Sequence, residues 1–376
     1  MQVVPFRTWA EVSRERIAAN FHSVRNAVGP AVEVAAVVKA DAYGHGSVEV
    51  SRVLAAQGAK WFAVSCVDEG VTLREAGIDA RILVMADYFA YSRAALVEYR
   101  LTPVLHTLGD LRDLDAFARS RNTSLPFHLK IDTGMGRLGT LSGAAEIACA
   151  IKDASHLKFE GLMTHFASSA DYTRPQTENQ MAAFAKVSDS LCALGVSPTY
   201  VHMASTNPIA FGRREAWHNM VRPGHALYGY LSPARGAAPH PVLQVSPALQ
   251  WKARILATKD VPAGSLIGYG GIYCASRPMR IAVLGVGYAD GLSHRLSNRG
   301  HVIAAGRLVP ILGAISMDVT TIDITNCPSL QAGDAVTLLG SEGTVSINAQ
   351  QMARMAGTIS YDVLCGIRTR VKRVYV

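Results

Sequence analysis

Eight short apolar runs, near residues 34–38, 61–65, 81–85, 102–105, 127–132, 160–164, 199–203 and 220–222, alternate along this chain with stretches of helical spacing. Segments 47–57, 68–76 and 176–194 are the clearest of those stretches. A further helix precedes the first run, because Ile17, Phe21, Val24 and Val28 recur at helical spacing after Ser13, a candidate N-cap, and the pattern stops at Gly29-Pro30. Regular alternation of this kind implies parallel strands joined by helical crossovers. Eight such units within roughly 200 residues favour a closed (β/α)8 TIM-type barrel over an open doubly wound sheet. In a barrel of that type the loops at the carboxyl ends of the strands carry the chemistry.

The pattern changes after SPARGAAPHPVLQVSP, Ser232 to Pro247, a stretch dense in proline and small residues. Beyond it Trp251 to Ala257, Arg280 to Leu284, Val302 to Ala305 and Ala335 to Leu339 are short β-rich runs separated by turns such as PAGS, SNRG and QAGD. One helix, about 348–356 with Asn348 as its cap, interrupts them. The expected organisation is an α/β chain with a barrel over 10–235 and a mainly β domain over 236–376, against which residues 1–9 can pack. Hydrophobic residues at 49% and charged residues at 18% exclude a disordered chain.

The net charge of +8 raises the question of an anionic partner, yet the basic residues are scattered except for Arg368, Arg370, Lys372 and Arg373, which read as a solvated basic tail. No nucleic-acid partner is expected. Six cysteines lie far apart with no C-x-x-C pair, so neither a metal site nor a disulfide framework is expected and a reducing compartment fits. The start MQVVPFRTWAEV has neither the basic nor the apolar region of a signal peptide, and no apolar run approaches a membrane span. The expectation is a cytoplasmic protein without membrane contact.

Four strand ends carry unusual polar residues. In VEVAAVVKADAYGHG, Lys39 closes an apolar strand just before Gly44 and Gly46. Such a lysine can reach solvent with its ammonium, or lose hydration and offer a free amine for a Schiff base or proton transfer. KIDTGMGRLG places Lys130 and Arg137 at a second end, where arginine can cap helix carbonyls or meet an anion. His165, in GLMTHFASSAD, reads equally as a core histidine or a site residue. The last two ends, HMASTNP and VRPGHALYG, supply Ser205, Thr206 and the amides of Gly224 and His225, which suit the phosphate site common at that place in barrels. No G-x-G-x-x-G run of a dinucleotide fold accompanies them.

These motifs together resemble the alanine racemase family, barrel-type pyridoxal-phosphate enzymes, and the match runs the length of the chain. AVVKADAYGHG resembles the family's cofactor-lysine motif, KIDTGMGRLG its arginine loop, THFASSAD its histidine segment and VRPGHALYG its phosphate loop. IGYGGIY, VGYADG, AISMD and TISYDVLCGI resemble its catalytic tyrosine, entrance tyrosine, carboxylate-binding and phosphate-tyrosine segments. The resemblance implies interconversion of L- and D-alanine by two bases, Lys39, which also carries pyridoxal 5'-phosphate, and Tyr269. It implies a phosphate held by Tyr43, Ser205, Thr206, Gly224, His225 and Tyr361. It implies Arg222 toward the pyridine nitrogen and Arg137 toward the phenolic oxygen and the substrate carboxylate, with Met317 assisting and Tyr288 narrowing the entrance. His165, Arg222 and His202 would form a hydrogen-bonded line supporting the tyrosine, extended by the family pattern to Asp318. Lys130 matches a lysine that supports the arginine and is carbamylated in many members. Finally it implies a head-to-tail homodimer in which Tyr269, Tyr288, Met317 and Asp318 come from the partner, and a role in D-alanine supply for peptidoglycan.

Ser205, His225 and Ser316 depart from the commonest family residues, and the His225 imidazole adds a titratable group near the expected phosphate. A broad-specificity or serine racemase is the nearest alternative, since a pocket discriminates one methylene by only about 1–3 kcal/mol. A non-catalytic pyridoxal-phosphate carrier on the same barrel is disfavoured by the β domain bearing Tyr269, and a barrel-type decarboxylase by the tyrosine loop.

Overall fold

The computed structural model describes residues 6–376. The chain divides into two units: Arg16–Ala42 with Ser47–Ser246, and Tyr43–Gly46 with Pro247–Val376 and the described residues up to Glu15.

The first unit is built on eight parallel strands: β2 (Glu33–Val37), β3 (Trp61–Val64), β4 (Arg81–Val84), β5 (Leu101–Leu105), β6 (Leu125–Lys130), β7 (Leu157–Met163), β8 (Tyr200–His202) and β9 (Met220–Val221). They pair in the order β8-β7-β6-β5-β4-β3-β2-β9. The two ends of that ladder lie against each other, so the barrel nearly closes. Strands buried on both faces must be apolar nearly throughout, and Ala35, Ala36, Phe62, Ala63, Ile82 and Leu83 have no exposed surface. Helices occupy the intervals, among them Ser47–Ala56, Val67–Glu75, Leu108–Ser120 and Gln176–Ala193. The start of Leu108–Ser120 is fixed by a capping box in which Thr107 Oγ1 accepts from the Asp110 amide at 3.0 Å and Asp110 Oδ2 accepts from the Thr107 amide at 2.9 Å.

Helix Arg14–Val28 buries Ile17, Phe21, Val24 and Val28, the stripe read from the sequence, and also Asn20. Asn20 explains why this unit runs on to Ser246 and past the proline-rich stretch. Its side chain donates to the carbonyls of Leu227 and Ser246 and accepts from the Ser246 amide, tying the stretch back onto the helix.

In the second unit β1 (Thr8–Val12) pairs antiparallel with β10 (Leu249–Val261) and parallel with β19 (Lys372–Tyr375). The strands between are β11 (Leu266–Ile267), β12 (Tyr273–Cys274), β13 (Met279–Leu284), β14 (His301–Ala304), β15 (Arg307–Leu312), β16 (Thr320–Asp323), β17 (Ala335–Glu342) and β18 (Val345–Ile347). All but β11 and β12 join one nine-stranded sheet, and those two pair with each other. Because β1 is hydrogen-bonded into this sheet, residues 10–15 belong here and not with the barrel. Of the residues expected to pack with this part, 1–5 lie outside the described residues. Helix Ala349–Ala356 begins where the sequence puts it, with Asn348 Oδ1 accepting from the Gln351 amide at 2.9 Å. A second helix, Ser360–Cys365, follows it outside the expectation, because a six-residue element is too short to show periodicity.

The basic segment near the carboxyl end is solvated at Arg368, Arg370 and Lys372, as expected, but it is no loose tail, since strand β19 and Arg373 tie it down. Arg373 donates to the carbonyls of Gly44, Ile367, Arg368 and Val371. Arg370 Nη2 donates to Asp318 Oδ1 at 2.6 Å. A guanidinium offers five donors, and here they are spent on backbone carbonyls and a carboxylate. Among the described residues no helix is long and apolar enough to cross a membrane.

Candidate active site

Strand β2 ends at Val37, and from Lys39 the chain enters a single turn of left-handed helix. Ala40, Asp41, Ala42 and Tyr43 have φ of 52°, 52°, 53° and 53°. Each residue with a Cβ costs about 1–2 kcal/mol in that conformation, so four in succession require external support. Glu69 supplies part of it: one carboxylate oxygen accepts from the Ala40 amide at 2.6 Å and the other from the Ser65 amide at 2.7 Å. Asp41 Oδ1 accepts from the Ser47 amide at 2.7 Å and closes the far side. Lys39 is thus held, partly buried, at the carboxyl rim of the barrel.

Three further strand ends contribute to the same rim. After β6, Asp132 Oδ1 accepts from the amides of Gly134, Met135 and Gly136 at 3.0, 2.9 and 3.2 Å, which folds the glycine-rich loop and presents an exposed Arg137. After β7, Thr164 Oγ1 meets Thr133 Oγ1 at 2.7 Å, and Gln180 donates to the His165 carbonyl while accepting from the Ala167 amide. After β9, the Arg222 guanidinium is buried and donates to His202 Nδ1 at 2.6 Å and to the carbonyls of His202, Thr164 and Met203 at 3.0, 2.7 and 3.2 Å. Its second terminal nitrogen lies 3.5 Å from His165 Nδ1.

Positive charge converges on this place. Burial, then the charges of Arg222, Lys130, Arg137 and Lys39, depress the His165 imidazole to about 3. Lys130, 5% exposed, falls to about 8, first through burial and then through Arg137 and Arg222. The His165 ring is therefore neutral near pH 7, and Lys130 holds a share of free amine.

His165, Arg222 and His202 lie in one hydrogen-bonded line, and within this chain it runs on through the barrel interior. The Asp318 carboxylate accepts from Arg370 and lies 3.7 Å from Arg7. The buried His202 Nε2 meets His128 Nδ1 at 2.8 Å. A polar atom in a barrel interior must find a partner there, and strand order places His128 on β6 within reach of β8.

At the last two strand ends Thr206 Oγ1 accepts from the amides of Gly224 and Ala226 at 3.1 and 3.2 Å. Ser205 sits one residue earlier, at the start of the short helix Thr206–Ala210. The His225 imidazole is turned inward and stacks on Tyr230 with ring centres 5.1 Å apart.

The remaining residues belong to the second unit. Tyr43 and Tyr361 face each other with ring centres 5.9 Å apart, and burial, followed by Tyr361 and Cys365, pushes the Tyr43 phenol upward. Tyr269 stands 77% exposed on a turn whose flanking Gly268, Gly270 and Gly271 have φ of 76°, 69° and 55°, a geometry that favours glycine. Tyr288 and Met317 are also exposed, and their loops are joined by the Tyr288 and Ala289 amides, which donate to the carbonyls of Ser316 and Met317 at 3.0 Å each. Gly287 allows that approach, since a Cβ there would lie 2.3 Å from the Ser316 oxygen.

Reading motifs in isolation missed Glu69, Asp132, Gln180, His128 and Glu160. The last two had a visible signal: a histidine in LPFHLK and a glutamate in LKFEGLM interrupt runs otherwise suited to complete burial. His106, at the end of β5, is a further buried imidazole, lowered to about 4 by burial and by Lys130.

These rings make stability depend on acid. Below 6.5, the ordinary histidine value, the unfolded chain binds protons that folded His165, His106, His128 and His202 refuse, so stability is complete above that value and falls with pH below it. Each ring contributes a slope of about 1.4 kcal/mol per pH unit once fully engaged. Denaturant titrations at about pH 7 and about pH 5 are expected to differ by several kcal/mol, with His165→Gln reducing the difference. Equal stability at the two pH values would refute the assignment of neutral buried rings.

Sequence and fold both agree with known proteins. Residues 12–232 match the family description "Alanine racemase, N-terminal domain" and residues 248–375 match "Alanine racemase, C-terminal domain". The alanine racemase of Halothermothrix orenii is 39% identical over 98% of this chain and 96% of its own length. The solved alanine racemase of Clostridium difficile 630 superposes with a TM-score of 0.91 at 30% identity, covering 99% of this chain and 96% of that one. That of Bartonella henselae, a structure with covalently bound pyridoxal phosphate, superposes with a TM-score of 0.87 at 26% identity over 99% of this chain and 100% of its own. On this agreement of both domains, of sequence along nearly the whole length and of fold, the chain belongs to the alanine racemase family.

Proposed function

We propose that Lys39 and, from the partner subunit of a head-to-tail homodimer, Tyr269 are the two proton-transfer groups of this enzyme. As a member of its family it interconverts L- and D-alanine with pyridoxal phosphate. The residues present fit that cofactor: an amine at a strand end, a buried guanidinium, and Lys130 and Arg137 beside them form an electropositive site for an anionic cofactor and a substrate carboxylate. This convergence of four cations on a neutral His165 is the observation that carries the reading.

When bound, pyridoxal phosphate supplies an electron sink that makes the α-proton of alanine removable. Lys39 holds the cofactor and moves a proton at its Nζ on one face of the substrate. Tyr269 of the partner subunit moves a proton at its Oη on the other. A free tyrosine, at about 10, is a poor base at neutrality; His165, whose Nδ1 faces the Arg222 guanidinium and whose proton therefore sits on Nε2, can donate to the phenolate, and the charge of Arg222 favours it further. Arg222 also serves the ring nitrogen as a donor that keeps its own proton. Arg137 orients the carboxylate, with Met317 and Tyr288 of the partner subunit bounding the space for the side chain. Thr206, its Oγ1 held by the Gly224 and Ala226 amides, serves the phosphate through its hydroxyl proton together with the His225 amide, and the inward stack of the His225 ring on Tyr230 keeps that imidazole in the core. A cytoplasmic enzyme providing D-alanine for peptidoglycan is the setting that suits this chemistry.

The test is borohydride reduction of the purified enzyme, mapping of the labelled peptide, and a racemisation panel of alanine, serine, lysine and arginine. Label on Lys39 with alanine as the fastest substrate is expected. Label on another lysine, or serine turning over faster than alanine, would replace this reading with another.

A further inference from the structure

Barrel interiors of this type are filled by layers of branched apolar side chains. Here a charged and polar line crosses the interior instead. Arg222 Nη1 donates to His202 Nδ1 at 2.6 Å, His202 Nε2 meets His128 Nδ1 at 2.8 Å, and His128 Nε2 lies 3.7 Å from Glu160 Oε2. The two Glu160 oxygens accept from Arg81 Nη1 and Nη2 at 2.6 Å each, and the Arg81 guanidinium lies 4.0 Å above the Trp61 ring. His128 and His202 have no exposed surface, and Arg222 and Glu160 have 2% and 5%.

The barrel reserves room for this line. His128 pairs in register with Gly161, and a Cβ at Gly161 would lie 2.2 Å from His128 Nδ1. A glycine inside a strand weakens it and marks a close approach. The approaching group is an imidazole whose Nε2, buried and short of a full hydrogen bond, lies on the side of the Glu160 carboxylate.

The proton positions follow from donor chemistry. A guanidinium only donates, so His202 Nδ1 must accept and the His202 proton sits on Nε2. That proton is donated to His128 Nδ1, which places the His128 proton on Nε2, aimed at the Glu160 carboxylate. Burial keeps both rings neutral, and against the opposing effect of its own burial Glu160 is held ionised down to about 2 by the facing His128 and then by Arg81. The reverse arrangement would put an imidazole N–H against an arginine N–H at 2.6 Å.

We propose that Glu160, anchored by Arg81, is a remote positioning residue: by facing His128 Nε2 it favours at the far end of the line the same tautomer that Arg222 imposes at the near end, and so holds the His128–His202 pair in place beneath Arg222. The inference extends the role proposed above for Arg222 and rests on it for its effect on turnover, whereas the proton arrangement stands on geometry alone.

The experiment is nitrogen NMR of the holoenzyme labelled with 15N at the histidine rings, which distinguishes Nε2–H from Nδ1–H without any turnover. In the unaltered protein both His128 and His202 are expected as neutral Nε2–H rings. In Glu160→Gln, Arg81 claims the amide oxygen and the amide nitrogen faces His128, so the His128 ring is expected to shift toward Nδ1–H and lose its bond to His202, which Arg222 keeps as Nε2–H, with kcat falling roughly tenfold while KM changes little. Glu160→Asp is expected to restore Nε2–H. A His202 protonated on Nδ1 in the unaltered protein, a measurement that needs no variant to fold, overturns the proposal. So does a folded Glu160→Gln protein with the His128 ring unchanged, which would leave Glu160 merely an anchor for Arg81. Nε2–H rings in an enzyme that does not racemise alanine would sink the functional reading and leave this inference intact.

Discussion

Lys39→Ala is expected to abolish racemisation, with a loss of at least ~10^4 in kcat, and to release the cofactor's visible absorption from the protein. The size follows from two roles held by one amine. A positioned base contributes about 10²–10⁴ on its own, and the covalent attachment of the cofactor is lost with it. Lys39→Arg separates charge from chemistry: the cation remains at the end of β2, but arginine neither gives up its proton near neutrality nor forms the attachment. Its activity should match that of the alanine variant. The left-handed turn after Lys39 makes the result specific to position, because Glu69 and Asp41 hold that backbone in place and no neighbouring lysine can take over the amine's location. A Lys39→Ala enzyme with a tenth of the original rate would show that the covalent and proton-transfer roles lie elsewhere.

Tyr269→Phe is expected to lower kcat/KM by about 10²–10⁴ while leaving the cofactor bound. The phenol is 77% exposed on a turn of three glycines with positive φ, so its removal disturbs no core. Because the free-energy difference between L- and D-alanine is zero, kcat/KM must fall equally in both directions. The asymmetry appears instead in deuterium oxide, where the α-proton of one antipode continues to exchange through Lys39 and that of the other does not. Mixing this variant with Lys39→Ala provides the sharper outcome. In a head-to-tail dimer a mixed pair contains one site with both residues replaced and one with both intact, so about a quarter of full activity returns on subunit exchange. Failure to recover any activity, with exchange verified, would exclude a site shared between subunits.

Much of this is visible in the chain alone. The eight apolar runs correspond to β2–β9 within a few residues, since strands buried on both faces leave little choice but valine, alanine, isoleucine and leucine. Lys39, Arg137, His165, Thr206 and Arg222 are legible because they stand at the ends of those runs, where a polar residue breaks an apolar pattern. The helix Ser360–Cys365 that carries Tyr361 is not legible, being too short to repeat. Nor is the left-handed turn at Ala40–Tyr43, since alanine, aspartate and tyrosine carry no local preference for it and Glu69, far along the chain, stabilises it.

The sequence by itself determined which elements form and which loops carry polar side chains, because both depend on periodicity and composition over about a dozen neighbouring residues. Only the tertiary structure decided what those side chains meet. Asp318 is bound by Arg370, Arg373 reaches the Gly44 carbonyl, and His202 is bonded to His128 on the next strand but one of the barrel. Such pairings arise from strand order and register, which bring together residues up to hundreds of positions apart. No local pattern encodes them, and the tautomers and depressed basicities of the buried imidazoles follow from them.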